Sequence, residues 1–249
     1  MKNIKLTVVI PTFNESDIIE SSLKIISEDL NELRPHTEII IADDGKDDLP
    51  EVIARCGESF GYASVIVMRN TKPLGKGQSI KRAFDVSRGH VVGFIDVDLS
   101  VAPRYIHDAM KNIVAGHHIS IATRIGNRWK SDKSVMTSIL GTIFNFIHRT
   151  LLFGHNRSFR DTQCGFKFFE RHVAIELYDD LIATDGLNDL EILLKAVNSG
   201  HRISEIEVPR INDRVGKIRI STILTRETFS LVKIFCKYRL GMKIGKRNQ

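Results

Sequence analysis

Asp96 and Asp98 stand two apart at the end of the run Gly-His-Val-Val-Gly-Phe-Ile-Asp-Val-Asp, residues 89–98. Side chains two apart on a strand point to the same face. A buried strand would therefore deliver two carboxylates together at its carboxyl end. Such a pair is unfavourable unless a cation or bound ligand donors relieve it. It suits a hard divalent cation that also bridges a diphosphate. For an isolated Asp-x-Asp, a solvated acidic turn is the competing reading. Two further segments shift the balance: Pro11-Thr12-Phe13-Asn14-Glu15 and Asp43-Asp44-Gly45 each follow an apolar run. In an open parallel sheet the carboxyl ends of the strands share one edge, and ligands bind there. Asp43 and Asp44 would then meet Asp96 and Asp98, in reach of ribose hydroxyls or a base N–H. Residues 70–77, Asn-Thr-Lys-Pro-Leu-Gly-Lys-Gly, add backbone freedom and positive charge. They match neither the Walker nor the dinucleotide-binding pattern.

The elements that must position these groups alternate. Residues 5–11 form an apolar β-rich run. A helix follows, capped by Ser16 or Asp17, with Ile18, Ile19, Leu23, Ile26 and Leu30 at helical spacing. Strands are expected over 38–42 and 64–68, and helices over 49–56 and 75–87. A fourth strand ends at Asp96. Four strands with helical crossovers imply a doubly wound, mostly parallel α/β sheet. Downstream, 135–153 is apolar at helical spacing, 160–169 is extended, 188–199 is a helix closed by Gly200, and 203–208 is a strand. Residues 222–240 form a last amphipathic helix carrying Arg226, Lys233, Lys237 and Arg239.

Composition excludes some classes. At 249 residues, with 42% hydrophobic and 27% charged residues, the chain is an ordinary folded protein with a substantial core. A net charge of +6 suits anionic small molecules or an anionic membrane surface. No nucleic-acid-binding signature accompanies it, so nucleic acid is not an expected partner. Cys56, Cys164 and Cys236 are widely spaced, which argues against a disulfide framework or zinc knuckle and for a reducing compartment. No apolar run approaches the ~18–20 residues that span a bilayer, and the first residues lack a signal-peptide pattern.

The ordered set Pro11 to Glu15, Asp43-Asp44-Gly45, Asn70 with Gly75-Lys76-Gly77, and Asp96-Val97-Asp98 resembles the inverting GT-A glycosyltransferases of family 2. Arg160-Asp161-Thr162-Gln163-Cys164-Gly165-Phe166-Lys167-Phe168-Phe169 is more specific. With Asp189-Leu190-Glu191 and Glu207-Val208-Pro209, it resembles the dolichyl-phosphate glucosyltransferase and mannose synthase branch. The resemblance covers roughly residues 5–212. It implies a single GT-A domain over 1–212, with a nucleotide-binding half and an acceptor half. A basic amphipathic segment, 213–249, would follow, packed on the core or lying in a membrane interface.

Carried over by position, the resemblance places a nucleotide-sugar donor, UDP-glucose or GDP-mannose, against Pro11, Glu15, Asp43, Asp44, Asn70, Gly75, Lys76, Gly77 and Asp96. Asp98, with Asp96, would ligate Mg²⁺ or Mn²⁺. Ser100 stands where such synthases often carry Gln. Arg124 would face the phosphates, and Lys133, after Trp129, the acceptor phosphate. The acceptor would be a polyprenyl or dolichyl phosphate. The chain would then work peripherally at the cytoplasmic face of a membrane, alone or with a membrane partner subunit.

An anionic phosphate acceptor attacks without a strong base, so cationic positioning matters more. A hydroxyl acceptor needs a carboxylate base, for which Asp161 and Asp189 are the candidates; Asp161 has the alternative of a structural pairing with Arg160 or Lys167. Two other functions stay open: transfer to a sugar hydroxyl of a glycan or glycolipid, and a catalytically silent nucleotide-sugar-binding subunit of a membrane complex. Cys164 is expected to be a buried, inert thiol.

Overall fold

The computed structural model describes residues 4–125, 159–183, 187–209 and 228–240. Expectations for Trp129, Lys133, Arg226, 135–153 and most of the segment after 212 fall outside the described residues. The chain runs β1 (Leu6–Thr12), α1 (Ser16–Asp29), β2 (Thr37–Asp43), α2 (Leu49–Cys56), β3 (Ser64–Arg69), α3 (Lys76–Val86) and β4 (Val91–Ile95). It continues through α4 (Tyr105–Val114), β5 (Ile119–Ile125), β6 (Phe166–Glu170), α5 (Arg171–Tyr178), α6 (Asn188–Asn198), β7 (Ile203–Pro209) and α7 (Thr228–Arg239).

Seven strands form one sheet in the order β3-β2-β1-β4-β6-β5-β7. β1 pairs in parallel with both β2 and β4, in registers that set Thr12 opposite Asp43 and Val9 opposite Phe94. The three carboxyl ends named from the sequence are thus neighbours. β6 runs antiparallel between β4 and β5, and β5 pairs in parallel with β7. The sheet is mixed but mostly parallel, as expected.

Alternation along the strands feeds two cores. Leu6, Val8, Ile10, Ile39 and Ile41 pack with Ile19 and Leu23 of α1, Val52 of α2 and Ile106 of α4. Val9, Ile40, Val92 and Phe94 pack with Ile80 and Phe84 of α3, Leu177 of α5 and Ile192 of α6. Burial on both faces is why these strands read as near-continuous apolar runs. Gly93, inside β4, faces Phe168 across the β4–β6 pair. A Cβ there would lie 2.1 Å from the Phe168 ring, so the glycine makes room for it.

Two expectations are corrected. Neither Ser16 nor Asp17 caps α1. The cap residue is Glu15, and the Ser16 N–H is taken by the Asp47 carboxylate at 2.8 Å, from the loop after β2. The extended run expected over 160–169 begins only at Phe166; residues 160–165 turn instead, which brings Asp161 and Gly165 to the site. α4 and β5 are further elements, for which the sequence reading gave no expectation.

The final helix packs on the body of the protein. Leu231 and Ile234 are buried, and Phe235 and Tyr238 lie against the second core. The Tyr238 hydroxyl donates to Glu191 on α6 at 2.9 Å, and the Lys237 ammonium donates to the Asp180 carboxylate at 3.1 Å. No helix among the described residues is long and apolar enough to cross a membrane.

Candidate active site

Asp96 follows β4 directly, and Asp98 lies two residues on, in a tight turn. The Leu99 N–H donates to the Asp96 carbonyl at 3.0 Å, and the Ser100 N–H donates to the Asp98 carboxylate at 3.1 Å. Leu99 adopts φ +51°, a left-handed conformation that a leucine tolerates only at a cost of about 1 kcal/mol. Ser100 itself is buried.

The two acids differ in surroundings. Burial alone would push the Asp96 carboxyl up, but the Lys76 ammonium, at 2.8 Å, together with Lys167 and Arg124 holds it below the usual range. Asp98 is more exposed. Burial, aided by the charge of Asp96, raises its carboxyl against the opposing Ser100 N–H.

A network of alternating charge extends from Asp96. Lys76 also approaches Asp189 at 3.7 Å. The other Asp189 oxygen accepts from the Lys167 ammonium at 2.8 Å, and that ammonium donates as well to the Cys164 carbonyl at 2.8 Å. Both ammoniums lie over the Phe94 ring, 5.0 and 5.6 Å from its centroid. Arg124, near the end of β5, grips Asp161 through two bonds of 2.6 and 3.1 Å. That fork holds the Asp161 carboxyl down, overcoming the rise that burial would cause. Asp161 is therefore paired with Arg124, while Arg160 turns outward to Glu207 and Lys167 to Asp189.

Gly165 passes beneath Asp96. The Asp96 N–H donates to its carbonyl at 3.0 Å, and a Cβ on Gly165 would fall 1.7 Å from an Asp96 carboxylate oxygen. Cys164 is a buried free thiol that burial pushes up to about 12, so it is inert as expected.

The acids after β2 are buried and held by the chain's own donors. Asp43 accepts from the Thr12 hydroxyl at 3.0 Å, the Gly45 N–H at 2.9 Å and the Arg69 guanidinium at 2.6 Å. Asp44 accepts from Asn70 at 2.5 Å, the Ser79 hydroxyl at 2.9 Å, and the N–H groups of Leu74 and Gly75 at 3.2 and 2.8 Å. It thereby pins the loop that begins α3 and carries Lys76. Two backbone donors of that loop, the N–H groups of Leu74 and Gly75, face Asp44, and the Lys76 ammonium points from it to Asp96. Gly77 packs against Asn188 at the start of α6.

The edge beyond Asp43 is open. Phe13 is 59% exposed beside it, Pro11 is half-buried, and the Phe13 N–H donates to the Glu15 carboxylate at 3.2 Å. The structure thus brings together Asp96, Asp98, Asp189, Lys76, Asp161 and Arg124, with the buried Asp43, Asp44 and Asn70 and the half-buried Gly75 next to them. Lys167 and Gly165 stood in the 160–169 motif but were given no role in the site from the sequence. The signal for Lys167 was a lysine inside the apolar strand Phe-Lys-Phe-Phe, a position filled only by a charge with a buried partner.

A family model described as Glycosyl transferase family 2 matches residues 7–178. Glycosyltransferase AglD of Haloferax volcanii is 29% identical over 226 residues, covering 87% of this chain and 35% of that protein. The chain thus spans about a third of that relative's length. A dolichyl-phosphate beta-glucosyltransferase of Trichomonas vaginalis is 27% identical over 255 residues, 96% of this chain and 75% of that protein. Among solved structures, glucosyl-3-phosphoglycerate synthase of Mycobacterium tuberculosis, in complex with Mn²⁺, UDP and glucosyl-3-phosphoglycerate, superposes with a TM-score of 0.66. It is 18% identical and covers 97% of this chain and 81% of its own, a likeness of fold.

Proposed function

The chain belongs to glycosyl transferase family 2, and from that premise we propose that it moves a hexose from a nucleotide sugar to a polyprenyl phosphate, with a divalent cation and inversion at the anomeric carbon. The observation that carries the acceptor class is the pairing of both candidate bases. Asp161 is clamped by Arg124, and Asp189 lies between Lys167 and Lys76. A carboxylate held by a guanidinium fork is a poor proton acceptor. A lipid monophosphate needs none, because its attacking oxygen already carries charge near neutral pH. The names of the Trichomonas relative and its kin point to the same acceptor, and to glucose rather than mannose as the sugar.

The residues fit a hard divalent cation. Asp96 and Asp98 offer carboxylate oxygens on one edge, and the Asp98 carboxyl, raised by burial and further by the charge of Asp96, has no cation of the chain paired to it among the described residues. Among the described residues no group of three or more His, Cys, Asp or Glu side chains is placed to hold a metal ion, so Asp96 and Asp98 would be the protein's carboxylate ligands. Mg²⁺ or Mn²⁺ would fill its remaining positions with phosphate oxygens and water. When bound, the cation would neutralise charge developing on the departing diphosphate. Lys76 and Arg124 would orient the anionic groups of donor and acceptor, and Asp44 and Asp161 would hold those two cations in place. Donor base and ribose would lie along the open edge at Pro11, Phe13 and Glu15. A single displacement by the phosphate oxygen gives the inverted product.

The chain would meet its lipid substrate at a membrane surface, through residues outside those described or through a membrane partner. The test is transfer from UDP-glucose or GDP-mannose to a short polyprenyl phosphate, with Mg²⁺ or Mn²⁺ and with EDTA. Glycolipid formed from UDP-glucose and lost on adding EDTA is the expected result. Failure with both donors, despite cation-dependent nucleotide binding, would favour a glycan acceptor or a silent subunit.

A further inference from the structure

Lys76 is the first residue of α3, and its position is fixed from behind. Asp44 binds the two N–H groups just before it, and Gly77 just after it packs on Asn188. From this anchored start its ammonium reaches Asp96 at 2.8 Å and Asp189 at 3.7 Å. Asp98, by contrast, has no cationic side chain paired to it among the described residues; its bond is to the Ser100 N–H. One of the two proposed cation ligands therefore already holds a counter-ion supplied by the chain.

A divalent cation arriving at Asp96 would face that ammonium across one carboxylate, and like charges so close repel strongly. The ammonium has a flexible four-carbon stem and three rotatable donors, so it can change partners while its backbone stays fixed. A diphosphate would give it a new anionic partner; without one, departure from Asp96 leaves only the longer contact to Asp189.

We infer that Lys76 is a built-in counter-ion that couples cation binding to nucleotide binding, holding Asp96 until a nucleoside diphosphate takes over the ammonium and releases the carboxylate to the cation. This rests on the reading of Asp96 and Asp98 as cation ligands. By linkage, nucleotide and cation each strengthen the other's binding by the same factor, about 5- to 150-fold for couplings of this kind. The nucleotide-free protein would bind the cation weakly and avoid carrying it unproductively.

The test is Mn²⁺ binding by the full chain without nucleotide, read from the electron paramagnetic resonance signal of free Mn²⁺. Lys76→Gln should bind Mn²⁺ about tenfold tighter than the wild type or more, since Asp96 has lost its competitor. Lys76→Arg keeps a cation on Asp96 and should bind as weakly as the wild type. Lys72→Gln, which removes an equal charge from an exposed position in the same loop, should change the affinity less than twofold. Circular dichroism checks that each variant is folded.

Nucleotide-free affinity unchanged in Lys76→Gln, or raised equally in Lys76→Arg or Lys72→Gln, overturns the inference while leaving the cation site standing. Mn²⁺ binding that survives Asp98→Ala undiminished, or no Mn²⁺ binding by the wild type even with UDP, overturns the cation-site reading and the inference with it.

Discussion

Replacing Gly165 by alanine adds one methyl group at the point where the chain passes beneath Asp96. The new Cβ would lie 1.7 Å from one Asp96 carboxylate oxygen, 2.1 Å from the carboxyl carbon and 2.6 Å from the other oxygen. An ordinary contact is about 3.5 Å, so the carboxylate must move by roughly 2 Å. Asp96 is the end of a short flexible side chain, and Gly165 is not among the glycines with positive φ. The backbone can therefore accept alanine, and the cost to the fold is about 1 kcal/mol or less. The cost to the site is larger. The Asp96–Lys76 pair at 2.8 Å is broken or rebuilt, and the carboxylate leaves the place from which it would serve cation and donor. Misplacement by about 1 Å at a reacting centre costs on the order of 10²-fold in rate, about 2.7 kcal/mol of barrier. The expected result is therefore a fall of about 10²-fold or more in kcat/KM for hexose transfer, with Tm within about 4 °C of the wild type. Transfer within threefold of the wild type would refute the placement of Asp96 in the reacting centre.

Asp161→Asn tests the Arg124 clamp through pH. Because Arg124 holds the Asp161 carboxyl below its unfolded value, the ion pair contributes stability above about pH 4 that is lost as pH falls toward the lower folded value. In urea unfolding from pH 7 to pH 2, the deficit of Asp161→Asn should shrink on the acid side; a pH-independent deficit would contradict the pairing. Glu38, fully buried at the opposite edge of the sheet, accepts from the Thr7 hydroxyl at 2.7 Å and the Arg88 N–H at 2.6 Å. Glu38→Ala should cost roughly 3 kcal/mol in denaturant unfolding while transfer per folded molecule stays within twofold. Ile234→Ala tests the docking of α7: Ile234 is fully buried, and truncation should cost about 2–5 kcal/mol. A loss below 0.5 kcal/mol, taken as roughly the size of an ordinary surface change, would mean that the helix leaves the body in solution.

What the sequence revealed and what it hid separate along physical lines. β1, β2 and β4 are buried on both faces and end in acids or a turn, so their apolar runs and shared edge were legible. α2 fell on 49–56 as expected, because Pro50 in its first turn and Gly57 just past its end mark the two ends locally. Long-range pairings were not legible. Asp47 accepts from the Ser16 N–H at the start of α1 from 31 positions away, and no local pattern announces such a bond. Antiparallel β6, inserted between β4 and β5, changes which residues face each other without altering any local periodicity. The same holds for charge partners. Asp161 could be matched with Arg160 or Lys167 by proximity in sequence, yet β5 brings Arg124 to it from 37 residues away. Asp43 and Asp44 were legible as candidate donor-binding acids because both follow a strand end, but their partners within the chain were not. Their burial follows from Arg69 at the end of β3 and from the loop before α3, which only the folded sheet brings together.

The central claim is that this site serves an acceptor that is already anionic and spares a carboxylate base. The most direct measurement supplies radiolabelled UDP-glucose and Mg²⁺ with a short polyprenyl phosphate or with the corresponding polyprenol, which differs only in lacking the phosphate. The account predicts glycolipid from the phosphate, with transfer from the alcohol at least 10²-fold slower, as expected when no side chain is poised to take its proton. Equal transfer to the alcohol would contradict it, because Asp161 or Asp189 would then have to leave its cationic partner and act as the base.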